Sequence, residues 1–286
     1  MERQAESPAG ARQPGVTVGV IGTGNMGSAL VRGWVRGLSP DARVVVWDKV
    51  AAAVQRVSEC AGVVVAESPA DLVKRAAFII VVVKPKDGDE LLRSIAPLLG
   101  EGQIVVSSMA GVELEQIRRA AGPSPALFRV MPNLGVGVGV GMVAVASEPG
   151  GDVEARARVV GLFDALGSAV LVPESALDTV TAVSGTGPAL LSIAIEGLED
   201  GGVAAGLSRS SSRLFARTAA LGAARILVAG DRPAGELPQR MNMPQDALQE
   251  GFKVLEERSV RPVFAEAVEA AAQRARQMRA PSGGSL

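Results

Sequence analysis

The chain has 286 residues and a mass of 29.2 kDa, which suits one large or two ordinary domains, and its 48% hydrophobic content can build a sizeable core. With 29 basic and 30 acidic residues the net charge is −1, so nothing in it suggests a nucleic-acid or anionic-membrane partner. There is no His, no Tyr and a single Cys, Cys60, which excludes Ser-His-Asp and Cys-His catalysis, His- or thiolate-held metals, Tyr-Lys proton relays and an internal disulfide. Acid–base chemistry is left to Asp, Glu, Lys, Ser, Thr, water or a cofactor, and the simplest home is a reducing cytoplasm.

In chain order, residues 1–15 carry charges among Ala, Gly, Pro and Gln with no apolar centre, and read as a disordered leader rather than a signal peptide. Charge-free stretches at 13–31 and 130–147 are broken by Pro and repeated Gly, so buried strands and loops fit them better than membrane spans. The β-branched run from Val16 to Ile21 predicts a strand buried on both faces. A glycine turn, Gly22-Thr23-Gly24-Asn25-Met26-Gly27, and a helical pattern through Trp34 follow it. Further strands are predicted at Arg43–Trp47, Val63–Val65, Phe78–Val83, Ile104–Ser107 and Ala126–Met131. Helices are predicted near Ala51–Cys60, Pro69–Lys74, Gly88–Leu99 and Val112–Ala120. This alternation predicts an α/β fold, a Rossmann-type doubly wound parallel sheet over 16–173. After Pro173 the β-branched clusters give way to Ala, Leu, Arg and Glu at helical spacing, interrupted at Gly230–Pro244. That predicts an all-helical domain over 174–279, suited to dimerisation, then a flexible tail over 280–286. Apolar stripes such as Leu190, Ile193, Ala194 and Leu198 suit packing against a second copy.

A glycine turn between a strand and a helix is the context in which Gly-x-Gly-x-x-Gly binds a dinucleotide. Gly22 permits the tight turn, Gly24 admits a pyrophosphate to the backbone, and Gly27 permits close helix–strand packing. Asp48 ends the second strand, where a carboxylate accepts hydrogen bonds from the adenosine ribose and repels a 2′-phosphate. Lys49 beside it would attract that phosphate, so NADH and NADPH both stay open. Lys84-Pro85 ends the most hydrophobic strand on the edge where such sheets bind ligands, and reads equally as crevice lining or as a strand terminator.

Four segments resemble pyrroline-5-carboxylate reductases: Val20 to Gly27, Val82 to Pro85, Arg129 to Asn133, and Ala182-Val183-Ser184-Gly185-Thr186-Gly187-Pro188-Ala189. The last is the most specific. The likeness runs over about residues 16–278. It implies hydride transfer from NADPH or NADH to the C=N carbon of a small cyclic imine, in a homodimer that in this family commonly builds a decamer. By matching, Val83, Lys84, Pro85, Ala110 and Asn133 join Gly22–Gly27, Asp48 and Lys49 as cofactor positions. Ser184 and Asp231 match substrate-side positions.

Two stretches depart from the family pattern. Where it has Ser-Pro-Gly-Gly-(Thr or Ala)-Thr to hold the substrate carboxylate, this chain has Met243-Pro244-Gln245-Asp246-Ala247-Leu248; where it has Asn-Thr-Pro, the chain has Asn133-Leu134-Gly135. Losing donors to a charged group costs about 1.5–3 kcal/mol each. A new carboxylate at Asp246 would repel a carboxylate substrate and attract an iminium, which takes hydride more readily than a neutral imine. Asp246 and Asn133 are the candidate catalytic residues. Gln245, Met243 and Leu248 join Ser184 and Asp231 as candidate substrate contacts, and Asp246 reads equally as a helix N-cap or first-turn carboxylate. No metal site is expected. The leading reading is an imine reductase retuned for a non-proline imine of specialised metabolism. The alternatives are a proline-forming enzyme and a catalytically silent dinucleotide-binding dimer. A 3-hydroxyacid dehydrogenase ranks lower, because the helix from Pro188 to Gly201 has no Lys.

Overall fold

The computed structural model describes residues 15–230, 233–238 and 245–277, with the backbone alone at Gln245 and Asp246. It divides into two compact units, one running to Gly185 and including the stretch from Ala271, the other Thr186–Ala270.

The first unit is built on an eight-stranded sheet: β1 (Thr17–Ile21), β2 (Arg43–Trp47), β3 (Val63–Val65), β4 (Phe78–Val81), β5 (Ile104–Ser107), β6 (Ala126–Pro132), β7 (Gly141–Ser147) and β8 (Gly167–Leu171). Its helices are α1 (Asn25–Gly37), α2 (Ala51–Ser58), α3 (Pro69–Arg75), α4 (Pro85–Ile95), α5 (Leu114–Ala121), α6 (Val153–Asp164) and α7 (Leu177–Val180). The strand order is β3-β2-β1-β4-β5-β6-β7-β8, so the chain winds outward in both directions from the β1/β4 pair. That pair is the switch point, where the loops leaving neighbouring strands diverge and open a crevice at the carboxyl edge.

Side-chain alternation explains why the β-branched runs become strands buried on both faces. Val18, Val20, Val44, Val46, Phe78, Ile80, Ile104 and Val106 pack with Leu30, Trp34 and Phe163 of α1 and α6. The intervening Ile21, Val45, Ile79, Val81 and Val105 pack with Leu72, Leu92 and Ile117 of α3, α4 and α5. Trp34 anchors the first layer: its ring is 5.4 Å from that of Phe163, and its indole N–H donates to the Leu162 carbonyl at 2.9 Å. Gly19 lets α3 pack close against β1, since a Cβ there would lie 2.4 Å from Leu72 Cδ2.

Two features differ from the sequence-based expectation. The sheet is not wholly parallel: β7 runs antiparallel to β6, and β8 pairs parallel with β7, so residues 141–171 extend the sheet. The fourth helix begins at Pro85, three residues earlier than the apolar spacing suggests. A proline at the first helical position has no N–H to leave unpaired, so Lys84-Pro85 is a helix start, separated by Val82 and Val83 from the end of β4.

The second unit contains α8 (Gly187–Ala204), α9 (Arg209–Ala229) and α10 (Gln245–Glu257); α11 (Val260–Gln277) begins within it. In α8 and α9, Glu199 is clamped by Arg217 at 2.9 Å and Arg213 at 3.4 Å, and Ser212 donates to the Glu199 carbonyl at 2.6 Å. Leu191, Ile193, Leu198, Leu214 and Phe215 of these helices are more than half exposed, an apolar surface larger than a free-standing helical pair normally shows to water.

Candidate active site

The glycine turn leaves β1 at the switch point and enters α1 directly. Gly22 has φ +102°, and a Cβ there would lie 2.4 Å from the Val82 carbonyl oxygen of the neighbouring strand's exit. A Cβ on Gly27 would lie 1.9 Å from the Gly22 carbonyl oxygen, whereas one on Gly24 would meet nothing within 4 Å. Two of the glycines are therefore demanded by the protein's own packing, and the third keeps open space in front of the α1 N-terminus. That terminus has Gly24 as its N-cap and no side chain satisfying its free N–H groups. Uncapped donors facing open space form an anion cradle. Behind the turn, buried Ser28 donates its hydroxyl to the Thr23 carbonyl at 2.6 Å. Ser28→Ala is expected to cost about 1 kcal/mol, read as a fall of about 2–4 °C in thermal unfolding.

Beside the turn runs a crevice of about 730 Å³ whose walls include Gly22, Gly24, Asp48, Lys49, Val83 and Lys84. Asp48 is held there by both oxygens: Oδ2 accepts from the Thr23 N–H at 2.6 Å, and Oδ1 accepts from the Val50 N–H at 2.9 Å. Lys49 reaches across the crevice, where its ammonium is 2.9 Å from Asp87 on the first turn of α4. The hydrogen bond to Lys49 holds the Asp87 carboxyl below its ordinary range, and that same bond raises the Lys49 ammonium. A lowered carboxylate keeps its partner above its ordinary pKa and loses it as pH falls through the lowered value, so the link persists through neutral pH.

Asn133 follows the carboxyl end of β6, on the same sheet edge as the glycine turn. Its Oδ1 accepts from the Gly135 N–H at 3.0 Å and the Met142 N–H at 3.3 Å, and its Nδ2 donates to the Ser184 hydroxyl at 3.1 Å. Ser184 lies in a π-helical turn, Thr181–Gly185, a backbone form that occurs mostly as single turns, frequently at functional sites. Ala110, in the loop after β5, is exposed. The non-family residue Leu134 is 59% exposed beside Asn133.

The structure thus brings Gly22, Gly24, Asp48, Lys49, Val83 and Lys84 around one crevice, and pairs Asn133 with Ser184. In the second unit, Gln245 and Asp246 are the first two residues of α10, and Leu248 on its first turn is half-buried. Met243 and Asp231 lie outside the described residues. Sequence reasoning missed Asp87, which a charge on the first turn of a helix opening at the crevice would have flagged. It also missed Arg56 of α2, which lines the crevice with a guanidinium nitrogen 3.4 Å from Asn25 Oδ1. No group of three or more His, Cys, Asp or Glu able to hold a metal occurs among the described residues.

Two family models match the chain: the NAD binding domain of 6-phosphogluconate dehydrogenase over residues 17–177, and pyrroline-5-carboxylate reductase dimerisation over residues 174–278. The pyrroline-5-carboxylate reductase of Methanosarcina acetivorans is 30% identical over 262 residues, 91% of this chain and 97% of that protein. That of Glycine max is 34% identical over 264 residues, 92% and 96% of the two. Among solved structures, the Coxiella burnetii pyrroline-5-carboxylate reductase superposes with a TM-score of 0.82 at 25% identity, over 92% of this chain and 98% of that one. The Plasmodium falciparum pyrroline carboxylate reductase, solved with NADP bound, superposes with a TM-score of 0.78 at 26% identity, over 93% and 98%.

Proposed function

Because the chain belongs to the pyrroline-5-carboxylate reductase family, we infer that it is an NAD(P)H-dependent reductase transferring hydride to the C=N bond of a cyclic imine. One observation carries the reading: the uncapped α1 N-terminus, fronted by the open space at Gly24, faces the switch-point crevice of a sheet whose match extends through the helical unit. Gly22, Thr23, Gly24, Asn25, Met26 and Gly27 are the pyrophosphate cradle. Asp48 and Lys49 face the adenosine ribose, and Val83, Lys84, Pro85, Ala110 and Asn133 line the path toward the nicotinamide. Bound NAD(P)H supplies the hydride.

The chain's own residues hold the imine and its charge. Asn133 is fixed by three hydrogen bonds, leaving its second Nδ2 hydrogen to orient a bound ligand. Asp246 stabilises the iminium form, Ser184 and Gln245 supply polar contacts, and Met243, Leu248 and Asp231 complete the substrate side. Loss of the family's hydroxyl donors at Met243 and Leu248 favours an imine without a carboxylate, in specialised metabolism rather than proline formation. The working unit is a homodimer built through residues 174–279 onto the Rossmann domain of 16–173, and associates further to a decamer. Support comes from the dimerisation-model match and the exposed apolar side chains of α8 and α9. It acts in the cytoplasm on a small molecule, without nucleic acid or membrane; among the described residues no helix is long and apolar enough to cross one.

The test follows cofactor oxidation with pyrroline-5-carboxylate and with carboxylate-free cyclic imines. Turnover of the carboxylate-free imines is the expected result. Fast turnover of pyrroline-5-carboxylate alone makes this a proline-forming enzyme and removes the retuned pocket, whereas cofactor binding with no turnover makes it a silent dinucleotide-binding dimer. Asp246→Asn is expected to lower kcat on the order of a hundredfold with an unchanged melting temperature. A lower melting temperature with unchanged kcat would make Asp246 a first-turn carboxylate that serves the α10 dipole.

A further inference from the structure

The family assignment leaves the choice between NADH and NADPH open, and the geometry of the crevice bears on it. The two cofactors differ by one phosphate on the adenosine ribose, so the choice turns on which charges at the end of β2 can reach that phosphate. Asp48 cannot turn away from it: both its oxygens accept backbone N–H groups, one from the glycine turn and one from Val50, so its negative charge is fixed at the ribose end. Free ribose hydroxyls can donate to the remaining lone pairs of such a carboxylate, while a phosphate dianion is repelled by it. The neighbouring cation that would offset the repulsion is Lys49, and its ammonium is 2.9 Å from the Asp87 carboxylate on the opposite wall. Lys84 and Lys86 also line the crevice, at the start of α4 beside Asp87, as does Arg56, whose guanidinium is directed to Asn25 in the glycine turn. There it favours the pyrophosphate that both cofactors share.

We propose that this reductase prefers NADH, and that Asp87 is a specificity-determining residue that enforces the preference by withdrawing Lys49 from the position a 2′-phosphate would take. Asp87 acts through Lys49 and is therefore a positioning residue, set by the first turn of α4. Its effect is on the phosphorylated cofactor and leaves the shared parts of the dinucleotide untouched. The inference rests on the assignment of the crevice to NAD(P)H.

The test is calorimetric titration of the full chain with ADP-ribose and with its 2′-phosphate, two probes that carry the discriminating group and need no turnover. The wild-type protein is expected to bind ADP-ribose about tenfold more tightly, in keeping with repulsion between partly exposed charges. Asp87→Ala is expected to raise affinity for the 2′-phosphate several-fold and leave ADP-ribose unchanged. Lys49→Gln added to Asp87→Ala is expected to cancel the gain, an outcome that a merely structural Asp87 would not give. A wild-type preference for the 2′-phosphate, an unchanged ratio in Asp87→Ala, or a gain that survives the added Lys49→Gln overturns the inference while leaving the reductase assignment in place. If the wild type binds neither probe, the cofactor assignment of the crevice falls together with it.

Discussion

Gly27→Ala is expected to destabilise the first unit by about 3 kcal/mol, at the upper end of what overpacking costs, whereas Gly24→Ala is expected to leave it folded and lose cofactor affinity. The two residues lie three apart in one motif, and the difference comes from what a methyl group meets. At Gly27 it would lie 1.9 Å from the Gly22 carbonyl oxygen, and both partners are backbone, so α1 itself must move relative to β1. Trp34, Leu30 and Val31, all fully buried on α1, would move with it. At Gly24 the backbone has φ −62°, which alanine adopts freely, and no atom lies within 4 Å of the added methyl. The space it takes is the space in front of the uncapped N–H groups. Thermal unfolding should fall by roughly 6–12 °C for Gly27→Ala and stay near wild type for Gly24→Ala. Titration with NADH should show Gly24→Ala weakened on the order of tenfold. Unchanged NADH affinity in Gly24→Ala would remove the pyrophosphate assignment from the turn.

That contrast also indicates how far the sequence could be read. The glycine spacing, the strand before it and Asp48 after it identify a dinucleotide crevice because each is local: turn, strand and helix start are set by neighbours in the chain. The alternation of Val44, Val45 and Val46 between two core layers is likewise implicit in a strand buried on both faces. What the sequence did not reveal depends on distant partners. Residues 141–171 contain apolar runs like any other, and their antiparallel entry into the sheet depends on pairing with β6. The Lys49–Asp87 link joins residues thirty-eight apart, and only the β1/β4 switch point brings β2 and α4 to facing walls. Ser184 was legible as part of a family segment. Its π-helical turn and its bond to Asn133, fifty-one residues away, were not. The substrate-side stretch 243–248 was legible only as a departure from a family pattern, which indicates what has been lost more readily than what has been gained.

The buried guanidinium of Arg129 leads to the second large effect. Arg129 lies on β6, four residues before Asn133, with its side chain 4% exposed, and its Nη1 is 2.7 Å from Glu174 Oε1. The same oxygen accepts the N–H of Leu114, the first residue of α5, at 2.7 Å. Glu174 therefore joins three parts of the first unit: the strand leading to Asn133, the start of α5, and its own short 3-10 helix, Glu174–Ala176. Removing one member of such a pair leaves a charge buried without its partner, which is worth more than the pair itself, typically about 3–5 kcal/mol. The Glu174 side chain is 31% exposed, so water reaches part of the site and the lower end applies. Glu174→Ala is expected to cost about 3 kcal/mol and Glu174→Gln less, since the amide oxygen still accepts from Leu114. Pairing Glu174→Ala with Arg129→Met removes the stranded charge and should recover most of the loss, leaving about 1 kcal/mol for the unpaired Leu114 N–H. Urea unfolding of the single and double variants measures each quantity. If the double variant were less stable than Glu174→Ala alone, the buried cation would not be the source of the cost, and Arg129 would be held by its packing in β6.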